Sequence, residues 1–306
     1  MTREGPYREE QELAKIGIQF TLFSAFYSPL IVSFAKWFLA EEGLESDWSV
    51  APPGKSALDA LISGEAEVVQ SALSNGFSTL EKGEIPQIVH FAQINEMDGF
   101  FLTSREHRPG FKWSDLEGAE LVCFGGGQPL AMFKYACHRA GIDFSRIKTL
   151  NPGSAKEMDE AFRNGQGDFI QQQGPFPQQL VADGIGHIVT QVGKQIGPCG
   201  FSSLAAKPDW LSTDKALAFV RAYTKARQFM NQASAEDIAA VTKQYFPDIH
   251  LDVLVDCIST YQLLGCWTPH IEITESAYER TLDIYEYNGL ISKRHNYENV
   301  CARPPS

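Results

Sequence analysis

Apolar residues along this chain alternate between a period of two and a period near 3.6. "KIGIQFTLF" (15–23) has the rhythm of a strand, and "SPLIVSFAKWFLAEEGL" (28–44) has that of an amphipathic helix, so a strand and then one helix over 28–44 are predicted. "DWSVAPPG" reads as strand and turn, "KSALDALISG" as a helix stopped at Gly64, and "EAEVVQSA" as a strand. "GFSTLEKGE" follows as a short helix and "QIVHFAQI" as another strand. Near residue 113 the order restarts. "WSDLEG" leads into the strand "AELVCF", the loop "GGGQP" and the helix "LAMFKYACHRAG", and then come the strand "IKTL", the turn "NPGS", the helix "AKEMDEAFRNG" and the strand "DFIQQ". Strand-then-helix alternation of this kind builds parallel sheets with helices on their faces.

The restart is also visible as a repeat. "SGEAEVVQS" (63–71) returns as "NGQGDFIQQ" (164–172), with Gly64 and Gly165, then Glu67 and Asp168, then two apolar β-formers, then Gln. The match extends backward: "PPGKSALDALISGEAEVV" and "NPGSAKEMDEAFRNGQGDFI" share turn, helix, glycine stop and strand, with a two-residue insertion in the second. Two similar segments, "DGFFLTS" (98–104) and "CGFSSLAA" (199–206), bound the second half. The expected α/β architecture is therefore two lobes: residues 1–101 begin lobe one, 102–203 form lobe two, and 204–306 return to lobe one. Beyond about residue 205 the pattern is helical, with "STDKALAFVRAYTKARQFMNQ" and then "SAEDIAAVTKQYF". Ser234 and Asp237 fit a capping box there, Pro247 stops the helix, and these C-terminal helices are expected on lobe one.

Composition narrows the partners. The 306 residues carry 26 Lys plus Arg against 38 Asp plus Glu, a net charge of −12 that repels nucleic acid and acidic membrane surfaces. The most apolar early window is too short to span a bilayer and contains Lys36, so no membrane insertion is expected. The charged start "MTREGPYREEQELAK" lacks an apolar leader core, which points to a cytoplasmic chain or one whose leader has been removed. Six cysteines without C-x-x-C spacing and seven histidines without H-x-x-x-H or H-E-x-x-H predict neither a metal nor a disulfide framework, and no cofactor is implied.

In open α/β sheets ligands settle at the carboxyl ends of strands, so the loops there hold the candidate residues. Ser24, Phe26 and Tyr27 follow the first strand, although the two rings would equally serve as packing. In "PPGKS" Lys55 stands before a helix start that suits an anion, but with Ser49 in place of the first glycine this is not a phosphate-binding Walker loop. Gln70, Ser71 and Ser74 end the next strand, and Asn95 and Asp98 end the one after. In "CFGGGQP", Gly126, Gly127 and Gln128 would let backbone N–H groups approach a ligand. "IQQQGPFP" supplies Gln172, Gln173 and Gly174; consecutive strand residues alternate sides, so at least one glutamine is expected to face the gap between lobes. Pro198 stands beside Cys199. As a nucleophile that thiol would need a base, and His187 could reach it only through folding.

Taken in order, "LDALISGEAEVVQSA", "WSDLEGAELV" with its Gly-rich loop, "AGIDFSRIK" and the return "GFSSLAAKPDWL" resemble ABC-importer substrate-binding proteins over about residues 15–230. The group resembled is the SsuA/THI5-like one, for nitrate, sulfonate and thiamine precursors. That resemblance implies a type II periplasmic-binding-protein fold whose lobes close on a small ligand; the helix starts after "PPGKS" and "CFGGGQP", with Phe26, Tyr27 and Phe176 beside uncharged amides, lead us to expect an organic one, anionic or aromatic. The resemblance also implies an ABC transporter permease as partner and a periplasmic location for a chain that has lost its leader. An enzyme or sensor on the same fold, cytosolic and acting on a small aromatic or heterocyclic compound, is the alternative. The two enzyme groups that this chain also resembles in fold depend on a cysteine-rich motif with pyridoxal phosphate and iron, or on a nucleophilic cysteine early in lobe one. Here the cysteines are scattered and the first is Cys123.

Overall fold

A computed structural model describes residues 13–52 and 55–306. The readings of the N-terminal segment up to residue 12, and of Pro53 and Gly54 in "PPGKS", lie outside the described residues. In chain order the elements are β1 (Ala14–Phe20), α1 (Ser28–Ala35), α2 (Phe38–Glu41), β2 (Leu44–Val50), α3 (Ala57–Ser63), β3 (Val68–Ser71), α4 (Ser74–Glu81) and β4 (Val89–Asn95). The second half contains β5 (Phe100–Ser104), β6 (Glu120–Val122), α5 (Gly127–Arg139), β7 (Lys148–Leu150), α6 (Ala155–Arg163), β8 (Phe169–Gln173), α7 (Phe176–Ala182), β9 (His187–Gln191) and α8 (Val192–Ile196). The return comprises β10 (Ser202–Ala206), α9 (Asp214–Gln232), α10 (Ala235–Thr242), α11 (Leu251–Leu264) and α12 (Glu275–Tyr287).

Two five-stranded sheets result, ordered β2-β1-β3-β10-β4 and β7-β6-β8-β5-β9. In the first, β1 runs parallel to β2 and β3 while β10 is antiparallel to β3 and β4. In the second, β6 runs parallel to β7 and β8 while β5 is antiparallel to β8 and β9. The two orders superimpose if β10 stands for β5. Those are the two strands on which the chain crosses from one sheet to the other, so each crossing segment is itself tied into a sheet.

The repeated sequence does the same work in both sheets. Ser56 caps α3 and Ser154 caps α6, and in each case the acid three residues on, Asp59 or Glu157, returns a bond to the cap's backbone N–H. Gly64 and Gly165 then leave the helix at φ 83° and 92°, a left-handed turn that glycine makes without strain. The acid that follows ties the incoming strand to its neighbour: Glu67 Oε2 accepts the Gly17 N–H at 3.0 Å, and Asp168 Oδ2 accepts the Glu120 N–H at 2.9 Å. Gly17 is needed because a Cβ there would sit 2.7 Å from the Glu65 carbonyl oxygen. Asp168→Ala should cost about 1 kcal/mol, the net worth of one such bond at a partly exposed site. Urea unfolding tests this, and an unchanged midpoint would show that water replaces the carboxylate.

The helix expected over 28–44 is broken. Trp37 adopts a left-handed φ of 63°, which separates α1 from α2. A bulky residue holds that conformation only when its surroundings over-determine it. Here the turn buries Leu39, lets Phe34 stack on Trp48 at 5.8 Å, and sets Lys36 over the Phe229 ring at 4.5 Å. The Ser234–Asp237 box forms by half: Ser234 Oγ accepts the Asp237 N–H, but Asp237 takes the serine hydroxyl, not its backbone N–H. Helices α9 and α10 pack on α1, whereas α11 and α12 also reach α7 and α5 of the second half. No helix among the described residues is long and apolar enough to cross a membrane. All six cysteines are free and buried.

Candidate functional site

The loop after β1 meets the strand ends of the second sheet. Leu22, Phe23 and Ser24 face Phe124, Gln172, Gln173 and Phe176 around a cavity of about 20 Å³. Two features of the sequence build it. Ser24 caps the short turn that leads into α1, its Oγ accepting the Phe26 N–H at 3.0 Å. Gln172 and Gln173 are the last residues of β8, and because neighbours on a strand point to opposite faces, both border the cavity only by its lying across the end of the strand.

Both glutamines are buried, and each has an amide oxygen without a partner. Their nitrogens are engaged: Gln172 Nε2 stands 3.5 Å from Asp159 Oδ1, and Gln173 Nε2 donates to the Tyr27 hydroxyl at 3.3 Å. The second of these bonds ties the turn after β1 to the end of β8. Burial pushes the Tyr27 phenol up to about 12, so it remains neutral. Next to them the Gly174 N–H donates to Tyr261 Oη at 2.7 Å, and that hydroxyl donates to the Gly99 carbonyl at 3.1 Å. Tyr261 on α11 therefore clasps the first crossing to the end of β8.

A wider groove of about 370 Å³ is also lined by residues from both halves of the chain. The start of α4 at Ser74 and Asn75 faces Gly126, Gly127 and Gln128 at the start of α5, with Lys134 bordering it. Gln128 Nε2 donates to the Phe201 carbonyl at 2.7 Å, a bond from the glycine-rich loop to the second crossing.

Other expected residues turn inward. Gln70 Oε1 accepts the Thr21 and Leu22 N–H groups at 3.0 and 3.2 Å while its Nε2 donates to Ser202 Oγ at 2.9 Å, so it shapes the β1 loop from behind. Gln171, at the equivalent place in the repeat, is buried with neither amide atom partnered. Ser71 Oγ accepts from Asn75 Nδ2 at 2.8 Å, and Asn95 Nδ2 donates to the Phe26 carbonyl at 2.7 Å. The Phe26 ring packs on Tyr261 at 4.9 Å. Lys55 and Pro198 are exposed and border neither space. Cys199 is fully buried, and burial raises its thiol pKa far above the ordinary range. His187 opens β9 and lines a separate groove with His107 and Asp256, so the structure does not pair the two as nucleophile and base. Asp98, in the first crossing, is fully buried: Oδ1 accepts the Phe100 N–H at 2.7 Å, Oδ2 has no partner, and burial raises its pKa to about 7. Among the described residues no group of three His, Cys, Asp or Glu could hold a metal ion.

Phe23, Phe124 and Lys134 escaped the sequence reading. The usable signal was an aromatic ring within a few positions of a strand's carboxyl end, which from sequence alone reads as core.

The family model described as NMT1/THI5 like matches residues 25–237. The chain is 28% identical over 300 residues to YtlA of Bacillus subtilis (strain 168), which carries the name of a binding protein; the alignment spans 97% of this chain and 90% of that one. Among solved structures, the ligand-binding component of an ABC-type import system from Staphylococcus aureus, with zinc bound, aligns with a TM-score of 0.74 at 17% identity, covering 95% of this chain and 97% of that one. The alkanesulfonate-binding protein SsuA from Xanthomonas axonopodis pv. citri, bound to MOPS, aligns with a TM-score of 0.74 at 15% identity, covering 95% and 99%. At these identities the likeness establishes the fold, the two-lobed periplasmic-binding-protein arrangement expected from the sequence.

Proposed function

The chain belongs to the NMT1/THI5-like family, and from that premise we propose that it is a solute-binding protein that clamps a small, flat aromatic compound between two lobes and delivers it to an ABC-type importer. The carrying observation is the cavity to which the β1 loop of one sheet and the β6 and β8 ends of the other all contribute. Residues 1–101 with 204–306 would move as one body and 102–203 as the other, with the links that lead into β5 and β10 as hinge. About 20 Å³ is too little for an organic ligand, for which cavities of about 300 Å³ or more are usual, so the lobes must part to load it and close over it afterwards. Phe23, Phe124 and Phe176 line the cavity with aromatic rings, an apolar surround that suits a flat ring. Lys134 borders the wider groove and not the cavity, so of the anionic and aromatic ligands expected, the aromatic one has the support. The closed form would be what a transporter permease recognises, and the work would then be done outside the cytoplasmic membrane.

Native mass spectrometry of freshly purified protein should show a co-purified small molecule, and a thermal-shift screen of flat aromatic compounds should find stabilisation. At a hundredfold excess over Kd the gain is about 2.7 kcal/mol, or roughly 4 °C for a chain of this size. A screen without any shift would remove the reading. Conversion of the bound compound on long incubation would replace it with the enzyme alternative.

A further inference from the structure

Resting on the clamp reading, we infer that the inner end of the cavity selects ligands that present N–H or O–H donors over anions, and that Asp159 sets this preference by fixing the Gln172 amide. A glutamine amide offers a donor from one end and an acceptor from the other, and which end faces a ligand depends on what holds the opposite end. Behind Gln172 stands Asp159 on α6, buried, with Oδ1 at 3.5 Å from Gln172 Nε2. Its Oδ2 accepts from Arg163 Nε at 2.6 Å, and Arg163 Nη1 continues to Asp183 at 2.7 Å. A carboxylate paired to an arginine only accepts hydrogen bonds, so it holds the nitrogen of Gln172 and would repel the oxygen.

The oxygen of Gln172, a residue that lines the cavity, is thereby left buried and without a partner. Gln173 is not constrained in the same way. Its partner is the Tyr27 hydroxyl, which can donate or accept, so this amide can adapt to either kind of ligand group. Among the described residues lining the cavity there is no Lys, Arg or His to compensate an anion facing the Gln172 oxygen. A carboxylate or sulfonate placed there would meet a partial negative charge in a low-dielectric site, whereas an amide or amino group would satisfy an acceptor that otherwise lies buried and unmet.

Calorimetric titration of the whole protein at neutral pH with benzamide and benzoate tests this, since the two share a ring and differ in donor against anion. Benzamide should bind at least about tenfold more tightly, the equivalent of one buried hydrogen bond gained against one repulsive contact. Asp159→Asn retains the shape but can present either amide end, which frees Gln172 to turn over. In that variant the ratio should fall to within about threefold, a loss of selectivity that a purely structural role for Asp159 would not produce. The wild-type comparison stands even if the variant does not fold. Equal or tighter binding of benzoate to the wild type would overturn the inference and leave the clamp intact, and an unchanged ratio in Asp159→Asn would overturn the role of Asp159. Failure of both compounds to bind would bring down the aromatic-clamp reading and this inference with it.

Discussion

Asp98→Asn is expected to leave stability unchanged in acid and to raise it by roughly 4 kcal/mol at mildly alkaline pH, because about three pKa units separate the folded from the ordinary value and each is worth about 1.4 kcal/mol. Burial disfavours the charged carboxylate, so the folded protein keeps this proton up to about pH 7 while the unfolded chain releases it near the ordinary value of 3.8. Between those values the folded state binds more protons than the unfolded one, and stability falls as pH rises through the window. Above it the full cost of an ionised, half-partnered carboxylate is carried. The substituted amide would keep the acceptor that the Phe100 N–H uses and carry no charge. Urea unfolding of both proteins below about pH 4 and near about pH 8 gives the difference directly, free of the other titrating groups. Parallel pH profiles would mean that the crossing between β4 and β5 admits water to Asp98.

The second large effect is expected at Arg227, a fully buried cation on α9. Its Nη1 donates to the Ile94 carbonyl at 2.6 Å. Its Nη2 serves the Thr268 carbonyl, the Thr268 hydroxyl at 3.0 Å and the His270 carbonyl at 3.3 Å. Burial lowers its pKa from the usual guanidinium value, with Tyr223 and Glu96 working against that, and a guanidinium stays charged under physiological conditions. The side chain thus fastens the irregular segment after α11 to the end of β4. Arg227→Leu fills much of the volume but strands the buried Ile94 carbonyl and takes a donor from the half-buried Thr268 and His270 carbonyls, which keep Asn231 Nδ2 and the Thr268 hydroxyl at 3.3 Å, at a cost of about 3 kcal/mol. For a chain of this size that corresponds to a fall in Tm of roughly 5 °C, measurable by scanning calorimetry. Lysine should recover part of the loss by retaining the charge and fewer donors. A leucine variant that melts within about 2 °C of wild type would show that these carbonyls find other partners.

Several features were legible because their causes are local. Gly64 and Gly165 as stops, and Val68, Val69, Phe169 and Ile170 as strand formers, act through neighbours within a few residues. The crossing segments were visible by their position between two runs of the same grammar. The left-handed turn at Trp37 was not, since local preference argues against it and only the packing of Leu39, Phe34 and Lys36 offsets its strain.

For the site, the sequence alone determined that polar residues end the strands, and the repeat determined that they would do so twice. Tertiary structure decided which of them face the cavity. Gln70, Asn95, Gln172 and Gln173 look alike as amides at strand ends. The first two lie off the cavity, Gln70 holding the Thr21 and Leu22 N–H groups and Asn95 the Phe26 carbonyl with its own oxygen unpartnered, while the last two line the cavity, each with an unpartnered oxygen. A buried backbone group must find a partner, and an amide serves it as readily as it serves a ligand. Which demand reaches the amide first depends on how distant loops pack, and that is a property of the folded chain.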